Sequence, residues 1–169
     1  HRISRASPIS VEVLERVEST NTVLMQLAAT GAGTATVIAA ELQHRGRGRM
    51  GRAWHAGLGG ALTFSILWRF TQGAGAIAGL SLAVGVAVVR ALKSLGINEL
   101  KLKWPNDVLW QGRKLAGILI EMQGDALGPS AVVIGVGLNV RLSPAVRARI
   151  DQPAADLETA CARVLDRNE

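Results

Sequence analysis

The chain has 169 residues, 49% hydrophobic and 19% charged, a composition that is typical of a globular domain and excludes a disordered protein. Its formal net charge of +6 at pH 7 favours anionic partners such as nucleic acid or phosphorylated small molecules. The single cysteine, Cys161, leaves no pair for an internal disulfide or a cysteine zinc cluster, and the three histidines lack metal-ligand spacing. One domain in a reducing, cytoplasmic environment is therefore expected.

Hydrophobic periodicity predicts seven strands, at 11–17, 36–42, 61–68, 100–103, 108–110, 114–122 and 131–140. Helices are predicted after the N-cap residues 19–21, at about 74–95, and at 155–165. The long helix should bury Leu80, Val84, Val88 and Leu92 and end at Gly96, and we interpret it as a core helix, not a membrane span. The pattern predicts an α+β fold with a mixed, mostly antiparallel sheet and helices packed on one face.

The segment "GRGRMGR", residues 46–52, lies between two predicted strands, and its residues alone leave three interpretations open. It is a solvated basic loop, a nucleic-acid-binding segment, or a phosphate-binding loop whose glycines expose backbone N–H groups and whose arginines supply forked donors. Nucleic-acid-binding segments of this composition normally lie in disordered surroundings, unlike this one. Trp54 follows the loop and offers an apolar plane on which a ring such as adenine could stack.

Two predicted strands carry glycines at their centres, Gly117 in the first and Gly135 and Gly137 in the second. Glycine weakens a strand and often marks a close approach to the backbone, so we expect a ligand to lie across this face of the sheet. Lys114 and Asn139 lie at the ends of the same strands.

Two polar segments have both a structural and a functional interpretation. "KWPND", residues 103–107, places Asn106 and Asp107 in a forced turn, where they are either turn residues or groups that face a metal-bound phosphate or an amine. "ESTN", residues 18–21, is either a helix cap or a binding site for a small polar head group.

The succession "ESTN", "ELQHRGRGRMGRAW", "KWPND", "GRKLAGILIE" and "GVGLNV" resembles the biotin protein ligase family, the biotin–[acetyl-CoA-carboxylase] ligases, from about Glu18 to Val140. The resemblance implies a class II aminoacyl-tRNA synthetase-like catalytic domain that joins biotin and ATP into biotinyl-5′-AMP, with Mg²⁺ accompanying ATP. It also implies transfer of the biotinyl group to one lysine of a biotin carboxyl carrier domain, with acetyl-CoA carboxylase as the expected source of that domain.

The resemblance implies roles for individual residues. Those expected to contact biotin are Ser19, Thr20, Asn21, Gln43, Gly46, Arg47, Gly48, Gly117 and Gly135. Those expected at ATP or the adenylate are Arg49, Arg52, Trp54, Lys114 and Asn139. Arg49 and Lys114 are the expected catalytic cations, and Asp107 is assigned near the entering lysine or the metal; no side chain is assigned as a metal ligand. Residues 44–53 should be mobile without biotin and fold over the bound ligands.

The resemblance also bears on what surrounds this domain. We expect residues 1–169 to be the catalytic domain alone, without the C-terminal β-barrel that many family members carry and without an N-terminal DNA-binding domain. Neither nucleic acid nor a membrane is then an expected partner, and a homodimer through an exposed edge of the sheet is compatible with the sequence. The alternatives are a lipoate or octanoate transferase of the same fold and a basic nucleic-acid-binding module.

Overall fold

The computed structural model describes residues 9–71, 77–124, 128–165 and 167, which form one seven-stranded sheet with helices. Its strands are β1 (Ser10–Val17), β2 (Thr36–Gln43), β3 (Ala61–Phe70), β4 (Leu100–Lys103), β5 (Asp107–Trp110), β6 (Arg113–Gly124) and β7 (Ser130–Asn139). Its helices are α1 (Thr20–Ala29), α2 (Leu80–Ser94), α3 (Pro144–Arg147) and α4 (Leu157–Cys161). All the predicted strands are therefore confirmed, within two residues at most of their ends.

The strand order across the sheet is β1-β2-β3-β7-β6-β5-β4. Helix α1 connects β1 to β2, which run parallel, and every other neighbouring pair is antiparallel. This arrangement confirms the predicted mixed, mostly antiparallel sheet. The long central strands β6 and β7 carry the glycines that the sequence analysis singled out.

The two long helices lie on opposite faces of the sheet, which corrects the predicted single helical face. Asn21 of α1 lies over Gly135, whereas Gly85 of α2 approaches Ile118 of β6. Ile118 pairs with Val136, the residue after Gly135, and successive residues of a strand point to opposite faces. The sequence pattern identified both helices but contained no information on which face each one covers.

Each face has its own hydrophobic core. On one face α1 packs against β2, β3 and β7, with Leu24 and Leu67 fully buried. On the other face α2 and α4 pack over β5, β6 and β7, with Leu92 and Val108 buried. On the α1 face, part of the sheet is not covered by a helix, and the candidate site lies there.

Helix α2 begins later than the sequence predicts. Residues 72–76 lie outside the described part of the chain, and the helix starts at Leu80, after Gly79 with φ 84°. Leu92 is fully buried as predicted, and Leu80, Val84 and Val88 are half-buried. In the described ranges, none of the helices combines the length and the apolar character needed to cross a bilayer.

The predicted C-terminal helix at 155–165 is wrong in extent, because α4 covers only Leu157–Cys161. Asp156 caps it by accepting from the Thr159 backbone N–H at 2.8 Å, and Ala162 ends it with φ 52°. The other carboxylate oxygen of Asp156 accepts from the backbone N–H of Leu142 and from Arg147 at 3.0 Å. This buried carboxylate fixes both ends of residues 142–156, which pass beside the candidate site.

We expect Asp156→Ala to lower the free energy of unfolding by roughly 2–4 kcal/mol, because two backbone N–H groups and one guanidinium lose their acceptor. Asp156→Asn should cost less, since its amide oxygen can still cap α4. Urea unfolding of the two variants beside the parent chain measures this, and an Asp156→Ala protein as stable as the parent would contradict it.

Candidate active site

A cavity of about 500 Å³ opens on the α1 side of the sheet. It lies between the start of α1, the segment after β2, the central strands β6 and β7, and residues 149–154. Every site residue predicted from the sequence lines it except Gly46: Ser19, Thr20, Asn21, Gln43, Arg47, Gly48, Arg49, Arg52, Trp54, Asp107, Lys114, Gly117, Gly135 and Asn139. Segments that are far apart in sequence thus meet around one space.

One end of the cavity is a hydrogen-bonding network of hydroxyl and amide groups. The Thr20 backbone N–H donates to Gln43 Oε1 at 2.8 Å, and the hydroxyl of Ser65 lies 2.7 Å from Thr20 Oγ1 and 2.5 Å from Asn21 Oδ1. Ser19, Thr20, Asn21 and Ser65 are all buried. In the described part of the chain, neither Ser19 Oγ nor Gln43 Nε2 has a hydrogen-bond partner, so both remain available to a ligand.

The floor of the cavity is a strip of glycines covered by side chains of the protein itself. A Cβ atom on Gly137 would lie 2.6 Å from Trp54 Cε2, and one on Gly135 would lie 2.1 Å from Asn21 Oδ1. Gly117 likewise faces Trp54 and Lys114. The expectation that a ligand lies directly on these glycines is therefore revised: the glycines admit Trp54 and Asn21, and a ligand would contact those side chains.

Trp54 is fixed at this strip and keeps one polar group unpaired. Its Nε1 is shielded from solvent and has no acceptor among the described residues. Buried N–H groups are nearly always paired in folded proteins, and this indole N–H is an exception to that rule.

Positive charge collects at the other end of the cavity. Lys114 Nζ lies 2.8 Å from Asp107 Oδ1, both side chains are largely buried, and the ammonium lies 5.9 Å from the centre of the Trp54 ring. Arg49 and Arg52 are exposed at the rim and form no ion pair with any described residue. Lys114 is therefore a paired cation at this end, and the two rim arginines are unpaired guanidinium groups, which suit phosphate.

The arginine–glycine segment forms a short hairpin, which we call the 46–54 hairpin. The Trp54 N–H donates to the Gly46 carbonyl at 2.8 Å, and the Gly48 N–H donates to the Arg52 carbonyl at 2.7 Å. A Cβ atom on Gly46 would lie 2.8 Å from the Trp54 carbonyl oxygen, so this glycine is needed for the close approach of the two arms. Its predicted contact with biotin is not supported by this position, and the predicted mobility of residues 44–53 stays a prediction.

Asn139 is buried and already engaged. Its Nδ2 donates to the carbonyls of Ala155 at 3.0 Å and Lys114 at 3.4 Å, which holds residues 153–155 across the start of β6. It lines the cavity as predicted, and of its two amide atoms only Oδ1 has no hydrogen-bond partner among the described residues. The wall that it supports, residues 149–154, was missed by the sequence analysis because no motif marks it.

Comparisons with known proteins agree with this architecture. The Biotin/lipoate A/B protein ligase family model matches residues 13–139. The bifunctional ligase/repressor BirA of Escherichia coli is 39% identical over 160 residues, which cover 94% of this chain and 49% of that protein. The biotin–[acetyl-CoA-carboxylase] ligase of Mycobacterium tuberculosis is 40% identical over 163 residues, which cover 94% of this chain and 58% of that protein. The chain thus spans about half the length of these relatives.

Solved structures give the same result. The biotin protein ligase of Aquifex aeolicus in complex with biotin and ATP superposes with a TM-score of 0.75 and 29% identity, covering 94% of this chain and 64% of that one. The Leishmania major biotin protein ligase in complex with biotin gives a TM-score of 0.77 and 28% identity, covering 92% and 66%. The catalytic-domain fold predicted from the sequence is confirmed.

We expect Gly137→Ala to lower the free energy of unfolding by roughly 1–3 kcal/mol, because the new methyl group overlaps the Trp54 ring. Gly33→Ala is the matched control, since no atom lies within 4 Å of the Cβ that it adds. In a Trp54→Ala background the penalty of Gly137→Ala should largely disappear. Urea unfolding of the four combinations measures this coupling, and an equal penalty in both backgrounds would show that Trp54 does not lie on Gly137.

Proposed function

This chain belongs to the biotin/lipoate A/B protein ligase family, and from that premise we propose that it is a biotin protein ligase. It would activate biotin with ATP to biotinyl-5′-AMP and transfer the biotinyl group to a lysine of a biotin carboxyl carrier protein. The observation that carries this proposal is one cavity with a hydrogen-bonding end built from hydroxyl and amide groups and a cationic end. Biotin has the complementary polarity, with a ureido ring at one end and a carboxylate at the other.

The hydrogen-bonding end suits the ureido ring. A ureido group offers two N–H donors and one carbonyl acceptor, and the site offers the Ser19 hydroxyl, the Thr20 hydroxyl and the free amide nitrogen of Gln43. Because Ser65 and Gln43 already hold Thr20 in place, little ordering is needed when a ligand binds. We assign biotin recognition to these residues, with Trp54 as the apolar wall beside the ring system.

The cationic end suits the first half-reaction. A carboxylate oxygen of biotin attacks the α-phosphorus of ATP, the bond from that phosphorus to the bridging oxygen breaks, and pyrophosphate leaves. Several anionic groups meet in this step, so cations placed where charge develops lower its barrier. Lys114 and Arg49 are assigned this role, with Arg52 at the nucleotide and Asn139 offering its free Oδ1.

In the second half-reaction an acceptor lysine attacks the carbonyl carbon of the adenylate. Its amine must be deprotonated, the new C–N bond forms the amide, and AMP leaves with the pair of electrons of the broken bond. Asp107 lines the cavity and is the carboxylate assigned near this amine, since it already holds one ammonium group, that of Lys114. The protein itself needs no nucleophile.

Mg²⁺ would enter this site with ATP. The described residues contain no group of three histidine, cysteine, aspartate or glutamate side chains placed to hold a metal. Mg²⁺ at nucleotide sites usually takes most of its ligands from phosphates and water, with one or two carboxylates, and Asp107 and Asp151 are the carboxylates of this cavity. The ion would supply further positive charge to the phosphates, and the residues present are compatible with it.

The acceptor protein and the assembly are further parts of the proposal. Relatives from Paracoccus denitrificans and Mycobacterium tuberculosis are named biotin–[acetyl-CoA-carboxylase] ligases, which supports a carrier domain of that carboxylase as the acceptor. Val11 and Val13 are exposed on the edge strand β1, where a homodimer contact would form. The cytoplasmic location, the lack of nucleic-acid binding and the extent of the catalytic domain over residues 1–169 stay predictions.

We expect Arg49→Ala and Lys114→Ala each to lower the rate of adenylate formation by about 100-fold or more, because each removes a cation from the developing charge. Mass spectrometry of biotinyl-5′-AMP after mixing the protein with biotin and Mg-ATP measures the product. Arg45→Ala and Lys101→Ala are the controls, since both side chains are exposed and neither lines the cavity. The free energy of unfolding is measured alongside, because Lys114→Ala leaves Asp107 without its partner.

We expect Thr20→Val, which keeps the side-chain volume but removes the hydroxyl, to weaken biotin binding about tenfold. Thr30→Val, at the end of α1, is the control and should not change the affinity. Calorimetric titration with biotin and with lipoate also distinguishes a biotin ligase from a lipoate ligase. Tight binding of lipoate without biotin binding would replace the biotin proposal by the lipoate alternative, and steeply salt-dependent binding of nucleic acid alone would favour the nucleic-acid module.

A further inference from the structure

Glu121 of β6 joins three segments of the site. Its Oε2 accepts from Asn21 Nδ2 at 2.8 Å and from an Arg47 guanidinium nitrogen at 3.2 Å. The same nitrogen of Arg47 lies 3.1 Å from the hydroxyl oxygen of Thr22. One carboxylate oxygen thus receives donors from the first turn of α1 and from the 46–54 hairpin.

This contact is the hairpin's ionic attachment to the sheet. Among the described residues, Arg47–Glu121 is the only ion pair between the 46–54 hairpin and a strand, since Arg49 and Arg52 have no partner there. Both side chains are partly shielded, with 43% of Arg47 and 28% of Glu121 exposed. The hairpin is otherwise attached at its base, where the Trp54 ring lies on Gly137 and Gly117.

Glu121 does not line the cavity, so its effect on a ligand would pass through the two residues that it holds. A carboxylate suits this place because Asn21 Nδ2 and the guanidinium group are both donors, and only an acceptor can satisfy them together. Among the described residues Arg47 is thus paired with a carboxylate, whereas Arg49 and Arg52 of the same hairpin have no ion-pair partner.

We propose that Glu121 is the positioning residue that holds the 46–54 hairpin over the cavity, by pairing with Arg47 while fixing the amide of Asn21. The placement of the hairpin stands on the contacts alone. Its consequence for biotin affinity rests on the proposed function, because biotin is the ligand that Asn21 and Arg47 are assigned to contact.

The test compares Glu121→Ala and Glu121→Gln with the parent chain by limited trypsin digestion without ligands, with cleavage sites identified by mass spectrometry. Loss of the ion pair should speed cleavage after Arg49 and Arg52 by roughly two- to fivefold, as expected for a partly exposed pair. Glu121→Gln keeps an acceptor for Asn21 but loses the charge, so it should show most of the effect on cleavage. Biotin affinity of both variants should fall by a similar factor.

Glu41→Gln is the matched control, because Glu41 of β2 likewise lies outside the cavity lining and pairs with an arginine, Arg167, that is not part of the hairpin. It should change neither hairpin cleavage nor biotin affinity. Urea unfolding of each variant separates local release of the hairpin from a general loss of stability, which would speed cleavage throughout the chain. Glu121→Ala combined with Arg47→Ala should be no faster than either single variant at the remaining hairpin sites.

Unchanged cleavage in Glu121→Ala, or effects of Glu121→Ala and Arg47→Ala that simply add, would overturn the proposal. Faster cleavage with unchanged biotin affinity would show that holding the hairpin in place does not affect biotin binding. If the parent chain itself binds no biotin while hairpin cleavage still responds to Glu121, the proposed function fails and the positioning role stands.

Discussion

The close approach of Trp54 and Asn21 to the backbone of β7 is the constraint on which the rest of the site depends. Both side chains occupy space that a methyl group on Gly137 or Gly135 would fill, so two residues without side chains in a central strand set the depth of the cavity. The strand can tolerate them because it is paired with β3 over its full length and with β6 from Ser130 to Leu138. Backbone hydrogen bonds thus hold together a stretch that has little side-chain packing of its own.

The polar and cationic ends of the cavity follow from what borders this strip on either side. Toward β3, Ser65 is paired with Gly135 across the ladder and reaches the start of α1, so a network of hydroxyl and amide groups forms there. Toward β5, Asp107 is paired with Gly117 and meets Lys114, so a charged pair forms there. The sheet register therefore places the hydroxyl and amide network a few strand positions away from the Lys114–Asp107 pair. This separation suits a ligand with one neutral and one anionic end.

Much of the site could be predicted from the sequence because its motifs are local. A helix cap, an arginine–glycine turn and glycines inside strands each carry a signal within a few residues. Ser65 and residues 149–154 carry no such signal: the role of Ser65 comes from its register opposite Gly135, and the wall is held by Asn139 and Asp156 through long-range hydrogen bonds. Glu121 could have been predicted on the site face from the sequence, since it lies four residues after Gly117 and therefore on the same face of β6. The face that each helix covers, in contrast, depends on crossover geometry that periodicity does not record.

The arginines of the 46–54 hairpin differ in their ion pairing, and this difference has an electrostatic consequence. A cation that already has a carboxylate partner gains little from an incoming phosphate, because it must give up or share that partner, whereas an unpaired guanidinium at the rim gains the whole interaction. Arg47 is paired and Arg49 and Arg52 are not, so the hairpin has one group suited to holding its position and two suited to binding an anion. Lys114 lies between these cases, because its pairing with Asp107 orients the ammonium toward Trp54 without removing it from the cavity. A phosphate entering this space would therefore gain most from the rim arginines, and Lys114 would contribute as a cation whose position Asp107 holds.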